Sequence, residues 1–231
     1  MKIPWKVLLL LLFPLGFLIF LGGDFAYPVR GLYSDLAISH YPNAEFLRLS
    51  LAHGEIPLWS PLLFAGYPFA ANPLSGLHYP PGWLALFFAL PFGFNLTAAL
   101  HLFAAGVGMF LFLRNEGLSD WPALCGAIVF QAMPKLISHY AAGHLTLFYS
   151  VCLTPWLLWA EQIRSSATPS SRLPRAILPG VFLGFILLAD LRWAPYAAGL
   201  WALFAVVRAS VWGSRSNVLA ISAWLGGLLL Q

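Results

Sequence analysis

Long apolar runs alternate with short polar breaks along most of this chain, and one aromatic, proline-rich stretch interrupts the rhythm near its start. Apolar residues dominate positions 7–21, 94–113, 122–134, 145–159, 177–189 and 195–207, and begin again near Val218. Runs approaching about 20 residues read as helices that cross a bilayer. The pattern therefore predicts an all-α, polytopic transmembrane protein with about seven spans. The breaks are RNEGLSDW at 114–121, SHYAAGHLT at 138–146, a Ser/Pro/Arg linker at 161–175, DLRW at 190–193 and a linker at 208–217. Positions 83–90 are apolar but too short to cross, and Pro91 and Gly93 follow, so this piece reads as a half-helix or interfacial segment. One transmembrane module results, with residues 1–22 as first span, 23–81 as a large loop and 82–231 as the remaining spans.

Composition agrees with this picture. Hydrophobic residues make up 60% and charged residues 9%, with a mean hydropathy of +0.80, where a soluble domain carries about 25% charged residues. The net charge of +4 is small and dispersed; it speaks for topology, and nucleic acid is not an expected partner. Placing the N-terminus inside puts eight of the 12 Lys and Arg residues on the inner side, namely Lys2, Lys6, Arg114, Arg164, Arg172, Arg175, Arg208 and Arg215. Arg30, Arg48, Lys135 and Arg192 fall outside, in keeping with the excess of positive residues on cytoplasmic faces. Asp24, Asp35, Glu45, Glu55 and Asp190 fall on the outer side, as do His40, His53, His78, His139 and His144. Lys2 and Lys6 ahead of an apolar run also suit a signal peptide, but no small-residue cleavage site follows, so an uncleaved first span is expected. Cys125 and Cys152 lie in apolar runs and read as buried, packed thiols. The chain ends inside the apolar run ISAWLGGLLLQ, and the expectation is that it is the N-terminal part of a longer protein.

The loop at 23–81 carries the polar chemistry. Rich in Trp, Tyr, Phe and Leu and poor in charge, it should be ordered. Pro42 suits the first turn of a helix running to His53, with Gly54 as its stop. Ala44, Leu47 and Leu51 share a stripe while Phe46 and Leu49 lie off it, so this helix should be covered on more than one side. Prolines 57, 61, 68, 73, 80 and 81 rule out a long helix afterwards. A rigid aromatic cap over the outer ends of the spans is expected.

The order SDL…YP, GEIPLWSPLLFAGYPFAANPLSGLHYPPGW, LFLRNEGLS, SHYAAGHLT and TPWLLWA resembles the YfhO-like membrane proteins of the GT-C class of glycosyltransferases. The likeness covers about residues 24–165, and PLW-x-P-x(4)-G-x-P is its most distinctive part. It implies sugar transfer from a polyprenyl-phosphate-linked donor to an envelope glycan, lipid or protein acceptor, in contact with membrane lipids, at the outer face of a bacterial plasma membrane. It also implies an acidic residue soon after the first span, acting as base or helping to hold a divalent cation, and Asp35 matches that place. Where many members carry a second acidic residue in the second outer loop, this chain has Ser138, His139 and His144.

A single carboxylate at Asp35 suffices as base for an inverting displacement, because a phosphate leaving group needs no protonation; a helix N-cap is the plain alternative. His139 and His144 are five apart and do not share a helix face, but Gly143 permits a turn that brings both inward. Arg192 suits a lipid phosphate through its paired donors, or a local pair with Asp190. His40, His78, Trp59 and Tyr79 are further candidates for substrate contact, against packing or loop hydrogen bonds. His101 within a span is expected to make an interhelical hydrogen bond. No metal-ligand spacing or phosphate-cradling glycine loop is present. A lipid-linked substrate transporter, which would need paired broken helices and midplane polar groups, and a non-catalytic scaffold are the competing readings.

Overall fold

The computed structural model describes residues 5–24, 34–63, 65–165 and 172–212. It is a helical bundle under a loop-built cap. A tight 3-10 segment, Trp5–Leu11, leads into α1 (Leu12–Leu21). A π-turn at Leu36–His40 opens directly into α2 (Tyr41–Ala52), and a further 3-10 segment covers Pro80–Phe87. The bundle continues with α3 (Phe92–Asn115), α4 (Asp120–Gln131), α5 (Pro134–Ala141), α6 (Leu145–Ser165), α7 (Arg172–Ala189) and α8 (Ala194–Trp212). Among the described residues there is no β-strand, and one isolated bridge pairs Ser60 with Tyr67.

The all-α expectation holds, and the finer span count is only partly visible. Of the described helices, α3 is the one long and apolar enough to cross a membrane, while Trp5–Leu21 and Arg175–Ala189 are shorter apolar stretches. The predicted seventh span lies outside the described residues, as does Arg30. The run at 122–134 is not one helix. Its first part, α4, has 12 residues, about 18 Å at 1.5 Å per residue, and Pro134 then opens α5 because a proline fits a first turn but not an interior. Gln131 closes the break: its fully buried Nε2 donates to Leu102 O at 2.9 Å and Leu10 O at 3.1 Å. Small residues let the helices come together around α3. Gln131 fits against Gly106 and Trp156 against Gly108, with Trp156 Nε1 donating to Ala104 O at 2.8 Å.

Polar groups sort to the two ends of the bundle. At one end Asp120 pairs with Lys6 and Arg114, Glu116 with Arg208, and the buried Glu161 with Arg164 and Trp201 Nε1. The loop and the turns before α6 and α8 occupy the other. Among the described residues, Lys6, Arg114, Arg164 and Arg208 thus gather at one end and Asp35, Asp190 and Arg192 at the other. Cys152 is buried as expected, but Cys125 is exposed, because it lies on the outward surface of α4.

The cap is packed by its own side chains. Phe46, the residue off the α2 stripe, meets Phe69 edge to face at 4.9 Å between ring centroids, so α2 is covered by the proline-rich segment. Asn43 joins the same elements, accepting from Tyr67 Oη at 3.1 Å and donating to Leu74 O at 3.2 Å. Asn95 anchors the loop end to the bundle. Fully buried, it donates through Nδ2 to Gly22 O at 2.9 Å and Asp24 O at 2.8 Å, and accepts from Tyr140 Oη at 2.6 Å. One side chain thereby links the end of α1, α3 and α5. Replacing Asn95 by Leu strands these partners at about 1–3 kcal/mol for a buried unpaired group. We expect a loss of about 3 kcal/mol, read as a lowered thermal midpoint of the full chain in detergent, with Asn95→Asp no milder, because its carboxylate would face the carbonyl oxygens of Gly22 and Asp24 in a buried site.

Candidate active site at the loop end of the bundle

Two polar turns and the start of α2 converge here. The chain leaves α5 through Ala142 and Gly143, and Gly143 adopts φ +87°. A Cβ at this position would collide with the backbone nitrogens of Asp35 and Leu36, so only glycine allows both the left-handed turn and the approach. The turn brings together the two histidines that helical spacing keeps apart. His139 Nδ1 and His144 Nδ1 are 3.1 Å apart, in hydrogen-bond geometry. On its other side His144 Nε2 lies 3.7 Å from Asp35 Oδ2. Asp35 sits at the N-cap position of the π-turn but makes no capping bond there; its carboxylate, 54% exposed, faces His144 instead.

Arg192 enters from the turn between α7 and α8. Its guanidinium is 61% exposed, yet its place is set by a buried acid. Asp190 accepts from Arg192 Nη2 at 2.7 Å, from Thr146 Oγ1 at 2.7 Å, from Arg192 N at 2.8 Å and from Trp193 N at 3.1 Å. Burial alone would raise the Asp190 pKa, but the hydrogen bonds from Arg192 and Thr146 and the guanidinium charge outweigh it and hold the carboxyl below its usual range. The local Asp190–Arg192 pair and a substrate role are therefore compatible. The pair uses Nε and Nη2 and leaves Nη1 directed elsewhere. Asp35 is within electrostatic reach of Arg192.

His40 closes the floor of the cluster. It is buried, and desolvation drives its pKa from 6.5 to about 4, with Arg192 and His144 adding to the drop and Asp35 and Asp190 opposing it. It is a neutral imidazole at physiological pH. His40, Ser75, His78 and Thr146 line a cavity of about 250 Å³ whose other walls are mostly apolar, among them Leu47, Trp83 and Tyr149. The cavity reaches the α7 end at Leu187, Leu188 and Leu191, whose side chains are otherwise exposed. Leu145 and Leu191, the chain neighbours of His144 and Arg192, are among the lining residues, so the polar cluster lies next to an apolar chamber.

The remaining candidates take different places. Tyr79 is a wall residue: its hydroxyl donates to His101 Nε2 at 2.8 Å, while His101 Nδ1 donates to Thr97 O at 2.7 Å. These bonds tie His101 to the cap and to its own helix, where a link to a second helix was expected. Tyr149 stacks on the same imidazole, and burial pushes the Tyr79 hydroxyl pKa up, so it remains a donor. His78 also lines the cavity, but its Nε2 is 2.7 Å from Ala70 O and belongs to the hydrogen bonding of the cap. Trp59 lies at the loop tip, packed over Gly66 and away from the cluster. Thr146 and Asp190 complete the site without having been singled out as contacts. Thr146 lies within the quoted SHYAAGHLT, but no spacing rule connects it to Asp190. Comparisons with protein-family models, curated proteins and solved structures return no match.

Two outcomes follow. His40 is neutral when buried but ionises near 6.5 when unfolded, so its burial stabilises the fold fully above pH 6.5 and progressively less as pH falls toward about 4. At about 1.4 kcal/mol per unit the full effect is on the order of 3 kcal/mol. Melting curves should show a shallower loss between pH 6.5 and 4 in His40→Gln than in the wild type. Gly143→Ala should displace the Asp35 backbone and abolish the His139–His144 contact, seen as loss of the paired histidine signals by NMR.

Proposed function

We propose that this chain is the membrane module of a YfhO-like, GT-C-type glycosyltransferase. It transfers a sugar from a polyprenyl-phosphate-linked donor to an envelope acceptor at the outer face of a bacterial plasma membrane, with about seven spans and a cytoplasmic N-terminus. The observation that carries this reading is the convergence of Asp35, His144, His139 and Arg192 next to an apolar cavity, whose lining includes Leu145 and Leu191, the chain neighbours of His144 and Arg192. The lipid chain lies in the cavity, entering past Leu187 and Leu191. Arg192 grips the phosphate, its free Nη1 supplying a donor to the leaving oxygen. Asp35 takes the proton of the acceptor hydroxyl as that oxygen bonds to the anomeric carbon and the bond to phosphate breaks, its electron pair leaving with the phosphate. His40, neutral and facing the cavity, hydrogen-bonds the sugar.

The GT-C resemblance implies an acidic residue that acts as base or helps to hold a divalent cation, and the donor set here does not suit the cation. Hard cations prefer several oxygen ligands. Asp35 is one carboxylate, Asp190 is saturated by Arg192 and Thr146, and no group of three His, Cys, Asp or Glu among the described residues is arranged to hold a metal. No step is routed through a cation. The transporter reading draws on the α4–α5 break and the buried Gln131. That break is single among the described residues, and the amide of Gln131 closes it, whereas transport calls for a pair around a midplane site.

The test is transfer of radiolabelled sugar from a polyprenyl-phosphate donor in membranes carrying the full chain. Asp35→Asn should lower the rate by about 10²–10⁴. Arg192→Lys should weaken donor binding more than it slows turnover, because one ammonium cannot both hold Asp190 and reach the phosphate. Wild-type rates in Asp35→Asn remove it from the mechanism.

A further inference from the structure

We propose that His144 and His139 are the exit for the proton that Asp35 accepts, a relay running from the carboxylate through two imidazoles to solvent. The proposal rests on the glycosyltransferase reading and deepens it. Asp35 must return to carboxylate before each turnover. Its open side is the side that donor and acceptor will cover, and its other side faces His144 Nε2 at 3.7 Å. From there the path continues through the Nδ1–Nδ1 contact of 3.1 Å to His139, which is partly exposed.

The contact constrains the tautomers. A nitrogen–nitrogen hydrogen bond requires one Nδ1 to carry hydrogen and the other to be bare. In the resting form His144 Nδ1–H donates to His139 Nδ1, so His144 Nε2 is bare and faces the carboxyl group, and His139 carries its hydrogen on Nε2. Asp35 and His144 close from 3.7 Å to hydrogen-bond distance, the proton moves from Asp35 to His144 Nε2, the His144 Nδ1 hydrogen passes to His139 Nδ1, and the His139 Nε2 hydrogen leaves to water. Asp35 regains its charge, one proton is released, and both rings end neutral in the opposite tautomer. A second proton exchange with water on the exposed rings restores the resting form.

Surrounding charges favour release. Lys135 on α5 and Arg192 on the α7–α8 turn act on His139, and burial first, then His144 and these two cations, holds its pKa below the ordinary histidine value. Asp35 lies on the His144 side, and His40, Asp190 and Arg192 complete the charged surroundings. His139 is therefore disposed to give up its proton to water near neutral pH.

The experiment uses the full chain, ¹⁵N-labelled at histidine, in lipid nanodiscs, together with transfer assays on membranes. The wild type should show a scalar coupling between the Nδ1 atoms of His139 and His144. His144→Gln should raise the His139 titration midpoint, since one of the charges holding it down is gone. In transfer, His144→Gln and His139→Gln should each slow turnover about tenfold near neutral pH, with KM unchanged, and added imidazole should restore the rate. His144→Asn serves as a second variant if His144→Gln does not fold. Absence of the nitrogen coupling, or wild-type turnover across pH in both histidine variants, overturns the relay. Asp35→Asn separates the two proposals. Its activity should be lost and not recovered with imidazole; full activity in Asp35→Asn overturns the glycosyltransferase mechanism itself, whereas loss there with unaffected histidine variants overturns the relay alone.

Discussion

The contact on which the loop end depends is the approach of Gly143 to the backbone of Asp35 and Leu36. It requires a residue with no Cβ and with φ in the left-handed region, and glycine meets both conditions at once. Because the two chains touch there, the histidines on either side of the α5–α6 turn face the start of the π-turn, and the carboxylate of Asp35 faces an imidazole. Asn95 holds the same region from below, tying the end of α1 and Tyr140 of α5 to α3. The site is thus placed by one steric contact and one buried amide.

A second constraint is the scarcity of water inside an apolar bundle. A polar group there must find a protein partner or move to an end. Gln131 and Asn95 find partners within the bundle, and the ionised residues move to the ends and pair. Asp190 is the informative case. Its buried carboxylate receives hydrogen bonds from both neighbouring turns, so it costs little to bury and it also fixes where Arg192 points. A cation aimed by a buried anion keeps one edge of its guanidinium available while losing little freedom on binding.

Together these features divide the loop end into parts with separate chemistry. A carboxylate beside an imidazole pair, and a fixed guanidinium, lie next to the cavity. A neutral imidazole lines the boundary, and an apolar chamber lies beneath. The Tyr79–His101–Tyr149 stack forms a wall of that chamber, so aromatic residues of cap and bundle contribute structure where the charged residues contribute reactivity.

Much of the helix pattern was legible in the chain, for local reasons. The apolar runs, the proline at the head of α2 and the glycine after it act within a few residues, and each element formed close to where they place it. The break between α4 and α5 was not legible, because an apolar run looks the same whether a helix continues or restarts, and Pro134 gained its meaning only from Gln131 bonding to two other segments. The candidate residues were recognisable as types: a lone carboxylate, a histidine pair about a glycine, an arginine beside an acid. Their convergence was decided by the tertiary structure. His78 and Trp59 carried the same promise in sequence and were taken up by the cap, while Thr146 carried none and became a partner of Asp190. Hydrophobic period and backbone stereochemistry are properties of neighbours in the chain. Which side chains meet depends on how separate helices and turns pack in three dimensions, and a 44-residue separation such as that of Thr146 and Asp190 leaves no trace in local pattern.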